Sequence, residues 1–144
     1  MSFASPGDVM RTMTKRVIAA FIFMLLLTAP AHAANLRLLF FYRDNCKWCA
    51  LMEQVINEPS IKEILRNSAD VIKVDVFGNR KIAGEGVTGT ELAGKYGVMG
   101  TPTLVFLDPG KREVMRVPGV LTKEDFKDLL CRQVRGINRV FCAK

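Results

Sequence analysis

Apolar positions along this chain fall into short blocks separated by turn residues. The run Leu36-Arg37-Leu38-Leu39-Phe40-Phe41-Tyr42 reads as a buried strand. Arg43-Asp44-Asn45 follows as a turn, and Cys49, Met52, Glu53 and Ile56 then recur at helical spacing. Glu58-Pro59 breaks that helix, and Ser60-x-x-Glu63 is a capping-box pattern ahead of Ile61, Ile64 and Leu65. Val71 to Phe77, β-branched and apolar on alternate sides, predicts a second strand. A glycine-rich connection from Gly78 to Gly89 exposes Arg80 and Lys81, and Thr88-x-x-Glu91 caps a short helix through Ala93 and Tyr96, stopped at Gly97.

Thr103 to Leu107 is a third strand. Asp108-Pro109-Gly110-Lys111 places Pro and Gly at the centre of a type II turn, which returns the chain into Glu113 to Val117 as an antiparallel hairpin. Thr122-x-x-Asp125 caps a last helix with the apolar face Phe126, Leu129, Leu130 and Val134, and Gly136 releases the tail. The order β-α-α-β-α-β-β-α predicts an α/β sandwich with a central mixed sheet flanked by helices.

The first 33 residues are set apart from this pattern. Arg11, Lys15 and Arg16 form a basic segment, Val17 to Ala29 an apolar one, and Ala31-His32-Ala33 a small-x-small cleavage site. The apolar stretch is short for a membrane span, which needs roughly 20 residues. We expect a bacterial export signal cleaved after Ala33, with an uncleaved inner-membrane anchor as the alternative and Met10 or Met13 as alternative starts. The expected compartment is the periplasm, and the remainder, Ala34 to Lys144, is sized for one compact domain.

The chain carries a net charge of +7, but its charges are scattered: Lys62, Arg66 and Lys73 alternate with Glu58, Glu63 and Asp70. Nucleic-acid binding calls for a basic stripe interleaved with stacking aromatics, and neither is present in the sequence. The single histidine, His32, lies in the expected signal. That argues against Cys–His nucleophilic catalysis and a His-bearing zinc site downstream, and Ala50 after Cys49 rules out the c-type haem motif.

The four cysteines all follow the signal. Cys46-Lys47-Trp48-Cys49 joins a strand to a helix. Cys46 falls at the helix N-terminus, where free backbone N–H groups and the helix dipole favour a thiolate. Cys49 lies one turn on, within reach of the first. This is the arrangement of a dithiol that attacks a disulfide and then resolves the mixed disulfide internally. A purely structural bond between them would close too short a loop to be a useful staple. Lys47 is placed to favour the thiolate, or is an ordinary exposed lysine, and Trp48 shapes a docking surface or simply packs. Cys131 and Cys142 bracket the end of the last helix. A disulfide there would staple the C-terminus for about 2–3 kcal/mol, with a second redox pair and free thiols as alternatives.

Taken together, Cys46-Lys47-Trp48-Cys49 after a strand, Gly100-Thr101-Pro102-Thr103 before another, and the closing hairpin and helix resemble the thioredoxin family over Leu36 to Val134. The likeness is strongest to two periplasmic branches: the thioredoxin of bacterial sulfur-oxidation clusters, and the C-terminal domain of the transmembrane reductant conductor, the thiol:disulfide interchange protein. The resemblance implies a cis-proline at Pro102 facing the cysteines, with Thr101 pairing to an extended substrate. It also marks a departure. The acid usually found six residues before the nucleophile is here Phe40, while Glu53 matches a second acid of the conductor's domain. Glu53 tunes or deprotonates Cys49 if it points back toward it, or is an ordinary solvated helix glutamate, with water then taking the Cys49 proton.

The expected activity is reduction of disulfides in other periplasmic proteins, a sulfur-carrier protein among them. No cofactor or metal site is expected, so electrons would come from a membrane donor of the reductant-conductor type, and a monomer is expected. A disulfide-forming oxidase and a redox-inactive binding module are the rival readings. Gly84-Glu85-Gly86-Val87-Thr88-Gly89 satisfies G-x-G-x-x-G, but it opens no long helix directly after a strand and reads as a surface insertion near the active face.

Overall fold

The computed structural model describes residues 35–143. The expected signal and its cleavage site lie outside the described residues. Four strands form one mixed sheet: β1 (Leu36–Tyr42), β2 (Ala69–Asp75), β3 (Thr103–Leu107) and β4 (Glu113–Pro118). Their spatial order is β2-β1-β3-β4, with β1 and β2 parallel and both β1–β3 and β3–β4 antiparallel. The helices are α1 (Lys47–Asn57), α2 (Pro59–Arg66), α3 (Gly89–Lys95) and α4 (Lys123–Arg132), followed by a 3-10 turn over Arg139–Ala143. This is the thioredoxin fold.

The continuous apolar run of β1 follows from its central place, because both faces of the sheet are covered. Leu36, Leu38 and Phe40 point to one core with Met52 and Ile56 of α1, Ile61 and Ile64 of α2, and Phe126 and Leu130 of α4. Leu39 and Phe41 point to a second core with Val105, Leu107, Leu92 and Ala93. Phe40 is buried in the first core, beside the same cluster as Cys49, so the position that holds an acid in many thioredoxins is a wholly apolar wall here.

Four local expectations are corrected. The second strand spans Ala69–Asp75 rather than Val71 to Phe77. Its register runs from Leu36↔Ala69 to Tyr42↔Asp75, so pairing ends where β1 ends, and Phe77 is left 71% exposed in a turn. Val71 also faces solvent, as the strand's apolar alternation is imperfect at this sheet edge. Ser60 is not a cap: Pro59 takes the first helical position of α2 and Glu58 the cap position without a side-chain bond. Proline's fixed φ and missing N–H suit that position, which starts the helix ahead of the capping-box pattern. The β3–β4 turn is not type II, since Lys111, not Gly110, takes the left-handed conformation, with φ 61°. Asp108 secures it by accepting the Arg112 amide at 3.0 Å.

The glycine-rich insertion folds back on itself, with a bridge between Lys81 and Thr88 and the Ile82 amide donating to Val87 O at 2.8 Å. Its buried Glu85 carboxylate is held by Arg37, at the start of β1, and by Lys111 at 3.0 Å. The tip of the insertion is thus tied to the end of the sheet away from the cysteines, a departure from the expected position near the active face. Thr88 then caps α3 through a complete capping box with Glu91, whose bonds from Thr88 hold the Glu91 carboxyl below its usual range. Gly89 is required there, because a Cβ would sit 2.0 Å from Asp75 O.

Candidate redox site

The site lies where β1 runs out. Tyr42 ends the strand, and Asn45 turns the chain with φ 55°, a left-handed conformation that asparagine tolerates better than most residues. Cys46 then stands at the cap position of α1 with extended backbone, its Sγ accepting the Cys49 amide at 3.2 Å. A cap sulfur receives what an oxygen usually receives: an otherwise orphaned helix N–H, at the positive end of the helix dipole. Cys46 and Cys49 are joined as a disulfide with Cα atoms 5.2 Å apart. Cys49 is buried against Met52 and Phe40, whereas Cys46 is partly exposed.

Register brings the second motif to the first. Phe41 pairs with Thr103 in the antiparallel β1–β3 ladder, so Thr101 and Pro102 fall beside the chain that leaves β1. The Thr101–Pro102 peptide is cis. Thr101 O and Oγ1 lie 3.9 and 3.8 Å from Cys46 Sγ. The loop is held by Gly119 N donating to Pro102 O at 2.8 Å and by Thr103 Oγ1 donating to Gly100 O at 2.7 Å.

The surroundings are open. A hollow of about 660 Å³ is walled by Arg43, Cys46, Lys47, Cys49, Glu53 and Lys73. Glu53 does line the hollow that borders Cys49, but its carboxylate accepts from Lys73 Nζ at 2.6 Å, and Lys73 in turn lies 4.9 Å over the Tyr42 ring. Trp48 is 60% exposed, with Lys47 Nζ 5.7 Å from its ring. Cys131 and Cys142, far along the chain, are bonded to each other with Cα atoms 5.8 Å apart, tying the end of α4 to the 3-10 turn.

Sequence reasoning missed the exposed apolar rim. Met99, 98% exposed, borders two further hollows, one shared with Pro102 and Gly119 and the other with Arg43 and Phe77. Gly97 and Gly100 on either side of Met99 were the available signal: a large apolar residue in a glycine-flanked loop has no core to enter.

The family model for a thioredoxin-like domain matches residues 25–133. The chain belongs to this family. A thioredoxin from Thermus thermophilus, solved in solution, is 32% identical, with a TM-score of 0.53 over 70% of this chain and 74% of that one. The structure of a DsbH oxidoreductase is 24% identical, with a TM-score of 0.53 over 66% of this chain and 71% of that one, a likeness of fold. No curated protein matches the chain. On this thioredoxin-like framework, Cys46–Cys49 is a thiol–disulfide redox pair.

Proposed function

We propose that this thioredoxin-like protein is exported to the periplasm and reduces disulfides in partner proteins, with Cys46 as nucleophile and Cys49 as resolving thiol. The observation that carries the reading is Cys46 Sγ at the cap of α1, bonded by the Cys49 amide and facing Thr101. A sulfur so placed is stabilised as a thiolate, and it is the more exposed of the two.

In the reduced protein, Cys46 thiolate attacks one sulfur of the partner's disulfide. A mixed disulfide forms and the partner's other sulfur leaves as a thiolate. Cys49 gives up its proton and attacks Cys46 Sγ, which releases the partner's second sulfur and leaves the Cys46–Cys49 disulfide. Two electrons have passed to the partner. They are restored by a membrane dithiol donor of the reductant-conductor type.

Thr101 offers its backbone to the extended partner, and Pro102 beside it presents no N–H that would compete. Lys47 adds positive charge near the thiolate and Trp48 offers an aromatic docking face. We assign the Cys49 proton to water rather than to Glu53, because the Glu53 carboxylate is engaged by Lys73. The likeness to the sulfur-oxidation thioredoxin names a sulfur-carrier protein as a partner to try first. The Cys131–Cys142 bond is assigned a structural role.

The deciding measurement is the reduction potential of Cys46–Cys49 in a Cys131→Ser/Cys142→Ser protein equilibrated with glutathione buffers. A value near about −270 mV supports a reductase, and one near about −120 mV replaces it with a disulfide-forming oxidant.

A further inference from the structure

We propose that the face around Cys46 selects partner segments carrying acidic side chains beside the disulfide, an inference that rests on the thiol–disulfide reading above. Three hollows meet there and share walls. Arg43 borders both the cysteine hollow and the hollow beneath Met99, while Phe77 borders that hollow and a third. The third, of about 620 Å³, reaches from Tyr42 and Lys73 past Phe77 to Arg80 and Lys81. The shared residues make one continuous surface leading from Cys46 to the start of the glycine-rich insertion.

That surface is basic. Arg43, Lys47, Arg80 and Lys81 are all exposed, and none is ion-paired among the described residues. Of the carboxylates on the same surface, Glu53 is taken by Lys73, and Asp75 accepts the Phe77 amide at 3.0 Å. Asp44 and Asp75 keep their charge, so four cations without an ion pair face two such carboxylates on this surface. Elsewhere Arg37 and Lys111 share the Glu85 carboxylate, and Arg116 pairs with Glu113. Unmatched cations beside a reactive group raise the local concentration of anionic partners and speed productive encounter.

The exposed apolar side chains Trp48, Phe77 and Met99 stand among these cations. Basic residues mixed with exposed aromatics also suit an anionic lipid surface. The position of Cys46 decides for a polypeptide: the cations surround the sulfur that must meet a disulfide, and Thr101 beside it offers backbone for an extended chain.

The test compares two synthetic peptides, each with one internal disulfide, identical except that Glu or Lys flanks the cysteines. The reduced protein's second-order rate is followed for each, and for the uncharged 2-hydroxyethyl disulfide. We expect the Glu peptide to react about tenfold faster than the Lys peptide at low salt. That ratio should fall below about twofold near 0.5 M salt, where screening is nearly complete. It should also collapse in Arg43→Glu/Arg80→Glu. Arg80→Gln/Lys81→Gln, confined to an exposed loop, should lower it part-way and serves if the first variant does not fold. Because the ratio is read within one protein, a change in cysteine reactivity cancels. Equal rates for both peptides, with 2-hydroxyethyl disulfide still reduced, would overturn the proposal while leaving the reductase reading intact. So would equal rates accompanied by co-sedimentation with phosphatidylglycerol vesicles, which would make this a membrane-facing surface. Failure to reduce any of the three disulfides overturns the underlying reading and the proposal with it.

Discussion

The molecule holds two cysteine pairs, and they sit in opposite settings. Cys46 and Cys49 are three residues apart, just past the end of a central strand, with Cys46 partly exposed and capping a helix. Cys131 and Cys142 are eleven residues apart and close a loop that folds the tail onto the domain. In that loop Val134 and Ile137 are buried in the first core, and the Asn138 amide donates to the buried Ser68 Oγ at 2.9 Å. Loop-closure entropy favours the second pair as a staple by about 1 kcal/mol. More decisive is what each sulfur meets. The first pair lies between Thr101 and the basic hollow, whereas the second, partly exposed like Cys46, packs where the tail meets the first core. On the proposed reading, chemistry and stability are divided between two bonds of the same kind.

The largest expected effect breaks the comparison on the side of activity. Cys46→Ala should slow reduction of a disulfide peptide at least about a thousandfold, since the nucleophile itself is gone. Cys131→Ser/Cys142→Ser should stay within about threefold of the parent in the same assay. Comparable losses in both would mean that the distal pair takes part in electron transfer.

On the side of stability the order reverses. Removing the Cys131–Cys142 bond should cost about 2–3 kcal/mol in urea unfolding, more than reducing Cys46–Cys49 costs in a protein with the distal bond intact. A smaller cost for the distal bond would deny it the stapling role.

Gly136→Ala sharpens the same point without touching sulfur. Gly136 has φ 96°, and a Cβ there would lie 3.1 Å from Leu36 Cδ2, so the tail can cross β1 closely only with glycine at that position. About 1–2 kcal/mol should be lost, with exchange activity retained. The smallest effect belongs to Glu53→Gln. An exposed carboxylate engaged by Lys73 contributes little to stability, under about 1 kcal/mol, and the peptide-reduction rate should change less than about threefold. A loss of tenfold or more would restore Glu53 as the proton acceptor of Cys49.

Much of the fold was legible because local and global preferences agree. The apolar runs of β1 and β3, the capping Thr residues at 88 and 122 and the helix after Cys46 stand at or within a residue or two of where their patterns put them. The misreadings have a common cause: competition that only pairing or sterics can settle. Phe77 reads as strand, yet β2 stops where its partner β1 stops. Ser60 reads as a cap, yet Pro59 claims the helix start. Gly110 reads as the left-handed residue of a turn, yet the Asp108 bonds to Arg112 put Lys111 there.

The sequence by itself determined the order of elements and the cysteine at a helix start, since each depends on residues close together in the chain. What only the tertiary structure decided is how distant segments meet. The β1–β3 register carries Thr101–Pro102 to Cys46, the tail folds so that Cys131 and Cys142 join, and Lys73 reaches Glu53 across from β2. Scattered charges such as Arg43, Arg80 and Lys81 become one basic face only through that folding. Side-chain type and local spacing fix what a segment can form. Which groups then share a surface is settled by the packing of all segments at once.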